Sequence, residues 1–303
     1  MSVYLISGAS TGFGALAARA IAKRGHTVFA GMYSHNGDTK QHEDDISKYA
    51  KEYKVDLRAV PLDLLSQDSV DAAVNTVIGS TGRIDAVIHN AGHMCWGPSE
   101  SFSPKQLLDQ YDVNVVGCQR LNQAALPHMR KARSGHLIWV CSSSTYGGKS
   151  PMIGPYFAAK AAQDNLAQAY AHELTPWGIE TTLVSPGVFT KGTNHFADAA
   201  KPAFANIAAE YEDGPTKGMG EDTMTGTINV CPPDADPSMV ADTLAELSDI
   251  PRGKKPFRMF ADPVMDGVEA AALVVDHNKV NFYRRMGMEK YLKVHPMSIL
   301  ADV

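Results

Sequence analysis

Apolar residues along this chain fall into short unbroken runs, separated by longer stretches in which they recur every three or four positions. The runs occupy residues 3–6, 27–30, 57–62, 86–89, 136–141 and 181–184. Continuous rather than alternating hydrophobicity is what strands buried on both faces require. The intervening stretches 14–24, 66–78, 104–131 and 156–174 carry the three-and-four spacing of helices with one buried face. Strand and helix in repeated alternation predict an α/β fold, a doubly wound parallel sheet of about seven strands.

Past Gly187 the pattern loosens. Residues 190–227 mix Gly, Thr, Asn and Asp with scattered aromatics, and residues 231–237, Cys-Pro-Pro-Asp-Ala-Asp-Pro, are a strong loop signal. A last strand is expected at 257–260 and the final helices within 264–285. No repeat or Pro/Gly-rich linker divides the 303 residues, so one domain is expected. Within it, 1–190 forms the core, 191–250 an insertion over the sheet and 251–303 the closing strand and helices.

Composition narrows the partners. The 28 basic against 33 acidic residues give a net charge of -5, which supplies no attraction for nucleic acid or an anionic membrane. A small molecule is the expected partner. Cys95, Cys118, Cys141 and Cys231 lie far apart without metal-ligand spacing, so neither a metal site nor a disulfide framework is indicated. The first residues do not read as a secretion signal: no basic stretch precedes the apolar run, and Gly8, Gly12 and Gly14 interrupt it. Nor does any stretch approach about 18 consecutive apolar residues, so a cytoplasmic location is expected.

Candidate chemistry sits at two places. After the first strand, Gly8, Gly12 and Gly14 form a turn whose glycines let backbone amides and a helix N-terminus approach a pyrophosphate. Their Gly-x-x-x-Gly-x-Gly spacing differs from the Gly-x-Gly-x-x-Gly fingerprint, and alone it is equally a packing turn. Farther along, Tyr156 and Lys160 are four apart and share a helix face. A free tyrosine titrates near about 10, and a neighbouring ammonium favours the phenolate. The pair can serve as a proton-transfer device, although in isolation a surface Tyr and Lys with no task is the first choice. Ser142-Ser143-Ser144 ends an apolar strand, a natural place for a hydroxyl that holds a substrate oxygen. The thirteen-residue gap to Tyr156 selects Ser143, with a one-residue slip in the loop left open. Ser142 and Ser144 would then merely end the strand. Asn114 lies inside a helical stretch, where an amide competes with backbone hydrogen bonding.

With these motifs in this order, the chain resembles the short-chain dehydrogenase/reductase family over residues 3–190, and as a set the match is highly specific. The resemblance implies hydride transfer between a nicotinamide cofactor and a ketone, aldehyde or secondary alcohol. It implies that Tyr156 is the general acid/base, Ser143 the group orienting the substrate oxygen, and Lys160 and Asn114 the members of a relay through a held water. It further implies cofactor contacts from Gly8, Ser10, Thr11, Gly12, Phe13 and Gly14, from Tyr33, Asp63 and Leu64, and from Asn90-Ala91-Gly92. Tyr156, Lys160 and the segment Pro186, Gly187, Val188 and Thr190 complete that set. The adenine falls to Asp63 and the carboxamide to Thr190. Homo-dimers or homo-tetramers are common among relatives, through the helices bearing Asn114 and Tyr156.

Cofactor choice turns on the end of the second strand, where an acid would bind the free ribose of NAD and repel the phosphate of NADP. That position is read as Gly31, so the acid is missing. Tyr33, Ser34, His35 and Asn36 follow where a basic clamp could stand, and Lys40 lies beyond. NADP(H) is favoured and NAD(H) remains open. Met94, Cys95, Trp96, Tyr146, Phe189 and Phe196 should surround the nicotinamide and suit a hydrophobic carbonyl compound. His93 and His195 read as ordinary polar contacts. Two alternatives stand beside this reading: a catalytically silent dinucleotide sensor or scaffold, and a sugar-nucleotide epimerase or dehydratase on a related fold.

Overall fold

The computed structural model describes residues 1–33 and 39–292. Ser34, His35 and Asn36 lie outside the described residues. Seven strands form one parallel sheet: β1 (Val3–Ile6), β2 (Thr27–Met32), β3 (Leu57–Pro61), β4 (Ala86–His89), β5 (Gly135–Val140), β6 (Ile179–Pro186) and β7 (Arg258–Ala261). Their order is β3-β2-β1-β4-β5-β6-β7, so the chain reverses its winding between β1 and β4. A crevice opens at such a reversal, outside the C-terminal ends of the strands. β1, β2, β4, β5 and β6 are buried along their whole length, the reason their sequences centre on apolar runs, although β6 also buries Glu180, Thr181, Thr182 and Ser185.

Helices cover both faces. On one lie α1 (Gly12–Lys23), α2 (Thr39–Tyr53) and α9 (Ser238–Asp249), where Ala17, Ala18 and Ile21 meet the β1 and β4 side chains and Val240, Leu244 and Ala245 complete the layer. On the other lie α3 (Gln67–Thr81), α5 (Gly117–Ala132) and α6 (Gly154–Leu174), packed over Leu5, Val87, Leu137 and Trp139. α9 packs against α1. The stretch 191–250 therefore divides: its last helix belongs to the sheet, and only the part before it forms a cover.

That cover holds α7 (Ala205–Asp213) and α8 (Met219–Val230), neither of which buries a residue fully. It is stitched to the turn after β4 by a short parallel pairing of Cys95 with Ala200, with Trp96 N donating to the Ala200 carbonyl at 2.9 Å. The stretch read as one helix over 104–131 is two, α4 (Pro104–Tyr111) and α5, joined by a π-helical turn at Asp112–Val116. α10 (Val268–Arg285) closes the fold beside β7.

Candidate active site

A cleft of about 1520 Å³ runs along the C-terminal ends of the strands, from the β1–α1 turn to the cover. It exceeds the roughly 300–1,000 Å³ of a drug-sized pocket and has room for a dinucleotide and a second molecule. At one end Gly8 and Gly12 take φ of +65° and +56°. A side chain on Gly8 would run into Ala91 Cα at 2.7 Å, while the space beside Gly12 is open. Asn90 locks this turn in place, its amide donating to the Ser7 and Gly8 carbonyls at 3.0 and 2.9 Å. Buried Ser7 helps, its hydroxyl accepting from the Asn90 and Ala91 amides at 3.1 Å each. Gly14 packs beneath, against the Gly8 carbonyl and Asn90. α1 begins with no side-chain cap on its amides and no acid in its first turn, so its N-terminus presents unopposed N–H groups to the cleft.

The cleft is lined by Gly8, Ser10, Thr11, Gly12 and Phe13, then Tyr33, Asp63 and Leu64, then Asn90, Ala91 and Gly92, with Pro186, Gly187 and Val188 opposite. Thr190 is not among its lining residues. Phe13 and Phe189 meet edge to face at 5.4 Å, tying the β1 turn to the segment after β6. Gly31 does not face the cleft either: a Cβ there would lie 2.5 Å from Leu62 Cδ2 and 2.7 Å from the Ile6 carbonyl. A side chain at Gly31 would therefore crowd β1 and Leu62, which accounts for the glycine there. Tyr33 is the lining residue at that strand end. Exposed Lys40 is not part of the lining.

At the other end Tyr156 and Lys160 project from the first turns of α6 into the cleft, both largely buried. Ser142 and Ser143 both line the cleft beside Tyr156, and the Ser142 hydroxyl is the one that acts to lower the phenol's pKa. Ser142 caps a tight 3-10 turn at 143–145, accepting from the Ser144 amide at 3.2 Å and pairing with the Ser144 hydroxyl at 2.8 Å.

The phenol's acidity also departs from expectation. Burial raises the Tyr156 pKa, the Ser142 hydrogen bond opposes it, and the thiols of Cys141 and Cys95 push it further up. The Lys160 ammonium lies 6.0 Å from the ring centroid and donates instead to the Val140 carbonyl at 3.0 Å and Gln163 Oε1 at 2.9 Å. Burial lowers its own pKa. Without a bound cation, desolvation outweighs the ammonium's pull on the tyrosine.

Asn114 sits within the π-helical turn, a distortion that recurs at functional sites. Its Nδ2 donates to the Gln110 and His93 carbonyls at 2.9 and 3.3 Å, and its buried Oδ1 has no protein partner among the described residues. Asn114 lies behind Gly92, whose missing side chain makes room for that oxygen, rather than on the cleft wall. The cover adds His195, which meets Tyr156 edge to face at 5.4 Å. Burial, then the charges of Lys160 and His93, hold its imidazole down to about 4, so it is neutral near pH 7. Gln163, fully buried against Lys160, was not singled out by sequence reasoning. Its place three residues after Lys160, on the same helix face, is a signal that could have found it. No cluster of metal-binding side chains occurs among the described residues.

A family model described as short chain dehydrogenase matches residues 2–202. A 3-ketodihydrosphingosine reductase of Bacteroides thetaiotaomicron is 33% identical over 190 residues, covering 63% of this chain and 65% of that protein, just under two thirds of its length. An uncharacterized oxidoreductase of Staphylococcus epidermidis is 28% identical over 210 residues, 68% of this chain and 87% of its own. Among solved structures, a short-chain dehydrogenase from Streptomyces avermitilis superposes with a TM-score of 0.72 at 24% identity, covering 96% of this chain and 100% of that one. An alcohol dehydrogenase from Thermococcus sibiricus, complexed with 5-hydroxy-NADP, gives 0.66 at 22%, covering 86% and 95%. At these identities the two structures establish the fold alone.

Proposed function

Because this chain belongs to the short chain dehydrogenase family of oxidoreductases, we propose that it is an NADP(H)-dependent carbonyl reductase acting on an apolar ketone or aldehyde. The observation that carries this reading is the contact of Ser142 with Tyr156 at one end of a cleft whose other end is a glycine turn and an uncapped helix N-terminus. The residues fit a dinucleotide: the α1 amides would hold its pyrophosphate, Asp63 and Leu64 its adenine, and Asn90-Ala91-Gly92 its middle. Pro186, Gly187 and Val188 would flank its nicotinamide, and Lys160 would bind the adjoining ribose. Bound there, the cofactor supplies the hydride that adds to the carbonyl carbon.

The protein supplies alignment and the proton. Ser142 donates a hydrogen bond to the substrate oxygen and Tyr156 delivers its phenolic proton to that oxygen, giving the alcohol. The reverse reaction uses the same groups. Lys160 returns a proton toward Tyr156, with Asn114 a buried acceptor behind Gly92. Met94, Ile153, Phe157, Phe196 and Met219 give the substrate end an apolar wall, which favours a hydrophobic compound. The relative named 3-ketodihydrosphingosine reductase supports ketone reduction. NADP(H) is preferred over NAD(H) because the lining residue at the end of β2 is Tyr33 and not an acid. Exposed Leu107, Leu108 and Val116 near Asn114 support a homo-dimer or homo-tetramer, and among the described residues no helix is long and apolar enough to cross a membrane. We place the enzyme in the cytoplasm.

Loss of reduced-nicotinamide absorbance with a panel of ketones tests the proposal. Tyr156→Phe should lower kcat by on the order of 10²–10⁴ while retaining NADPH binding. Equal turnover by Tyr156→Phe would overturn it, and tight NADPH binding without any turnover would leave the silent sensor as the better reading.

A further inference from the structure

Among the described residues no carboxylate forms an ion pair with the buried cation of Lys160. The residue is 4% exposed, and the two acceptors of its ammonium among the described residues are both uncharged: the Val140 carbonyl and the Gln163 side chain. Gln163 is fully buried one turn farther along α6. Its amide nitrogen donates to Cys118 Sγ at 3.5 Å, and the Cys118 thiol donates to the Asn114 carbonyl at 3.4 Å. A single chain of contacts thus runs from Lys160 through Gln163 and Cys118 to the π-helical turn.

A polar amide in a fully buried position costs free energy unless it is hydrogen bonded. Here each end of the Gln163 amide has a partner, and the partner on the oxygen side is the cation beside the tyrosine. The choice of a neutral acceptor has an electrostatic consequence. A carboxylate at this position would hold the ammonium equally well but cancel its field. A leucine would keep the field but remove an acceptor from a desolvated charge, favouring the free amine. An amide oxygen stabilises the ammonium and leaves its charge directed at the cleft. With two of its three N–H donors committed to Val140 and Gln163, the remaining one is aimed by elimination.

We propose that Gln163 is a positioning residue that keeps Lys160 protonated and its charge uncompensated toward Tyr156 and the nicotinamide ribose. This rests on the reductase reading, but its physical core concerns the ligand-free protein. The other titratable groups around Lys160 come from every side and are neutral near pH 7: Cys141 at the end of β5, Cys118 on α5, Tyr156 on α6 and His195 from the cover. Burial pushes the Cys118 thiol up to about 11 and Cys141 well above its usual value. None of them supplies a counter-charge that would substitute for Gln163.

The test is the titration of the Lys160 amine without cofactor, followed by nuclear magnetic resonance of protein carrying ¹³Cε-lysine, with Lys160→Met to assign the signal. Gln163→Leu should move the Lys160 midpoint to lower pH than in the parent, and Gln163→Glu should move it higher. In turnover with NADPH, both variants should lose kcat/KM by roughly tenfold or more, the scale of one hydrogen bond to a charge. The alkaline limb of the pH profile should fall in Gln163→Leu and rise in Gln163→Glu. If one variant fails to fold, the sign of the other's shift decides. An unchanged Lys160 midpoint in either folded variant overturns the proposal. Midpoints that move as stated in a protein that reduces no carbonyl would sustain the role of Gln163 and refute the reductase reading instead.

Discussion

The hydroxyl of Ser142, at the start of a tight turn, is the one that meets the phenol of Tyr156, fourteen residues on. Ser143, the residue that spacing alone selects, lines the same cleft. The two serines therefore make opposite predictions. Ser142→Ala should lower kcat by about 10²–10³, the usual cost of losing one donor to a developing oxyanion. Ser143→Ala should stay within a few-fold of the parent. Steady-state kinetics on both variants decide the matter, and a larger loss in Ser143→Ala would reverse the assignment.

Gly31 is packed between β1 and Leu62, so converting it to Asp should not create an NAD site. The variant is expected to lose roughly 1–3 kcal/mol of stability through overpacking, visible as a lower denaturant midpoint. Tyr33→Asp, at the cleft itself, should instead shift the NADPH-over-NADH preference by roughly tenfold, a single step of about 1.4 kcal/mol. Should Gly31→Asp switch the cofactor while Tyr33→Asp does not, the strand-end reading fails.

Behind the serine turn, Arg258 joins two buried acids, reaching Asp276 at 2.7 Å and Asp164 at 3.3 Å. Asp164 in turn accepts from the Tyr146 hydroxyl at 2.6 Å. Lys279, 3.1 Å from Asp276, brings the group to two cations and two anions. Removing the central cation leaves Asp164 without an ion-pair partner and Asp276 with Lys279 alone, so Arg258→Met should cost roughly 3–5 kcal/mol. Tyr146→Phe should cost about 1 kcal/mol. Chemical denaturation of each variant measures this, and a near-neutral Arg258→Met would show that the network adds nothing to stability.

His89 is fully buried against Trp139, its Nε2 2.8 Å from Asn122 Oδ1, and burial holds its pKa down to about 4. Above about pH 6.5 the imidazole is neutral in both folded and unfolded chains, and it contributes no pH dependence. Between about 6.5 and 4 the unfolded chain takes up a proton that the folded one refuses, so stability falls as pH falls. The loss levels off below 4, at roughly 3 kcal/mol for this residue. His172 and His195, also held down to about 4, add to the same window. Urea midpoints at pH 7 and pH 4.5 should therefore drop less steeply for His89→Gln than for the parent; parallel slopes would contradict the account.

What could be read ahead of the fold follows from burial. Strands covered on both faces favour apolar runs, and all seven strands appear in the sequence within two residues of their ends. α2 escaped notice because it buries only Ile46, so its periodic signal is faint. α7 and α8 bury nothing, and a helix that presents no stripe to a core cannot be found from one. The division of 104–132 by a π-helical turn was also invisible, since Asn114 there looks like any polar residue in a helix.

The sequence by itself determined the alternation of strands and helices, the glycine turn and the shared face of Tyr156 and Lys160, because each depends on spacing inside one element, where backbone geometry dictates which side chains are neighbours. The tertiary structure alone decided that Ser142 meets the phenol, that Gly31 is a packing position and that Gln163 takes hold of Lys160. Burial of the Tyr156 phenol, which raises its pKa in the ligand-free protein, is likewise set by the fold. These relations lie between elements or depend on the exclusion of water, and both are set by how loops run and layers close.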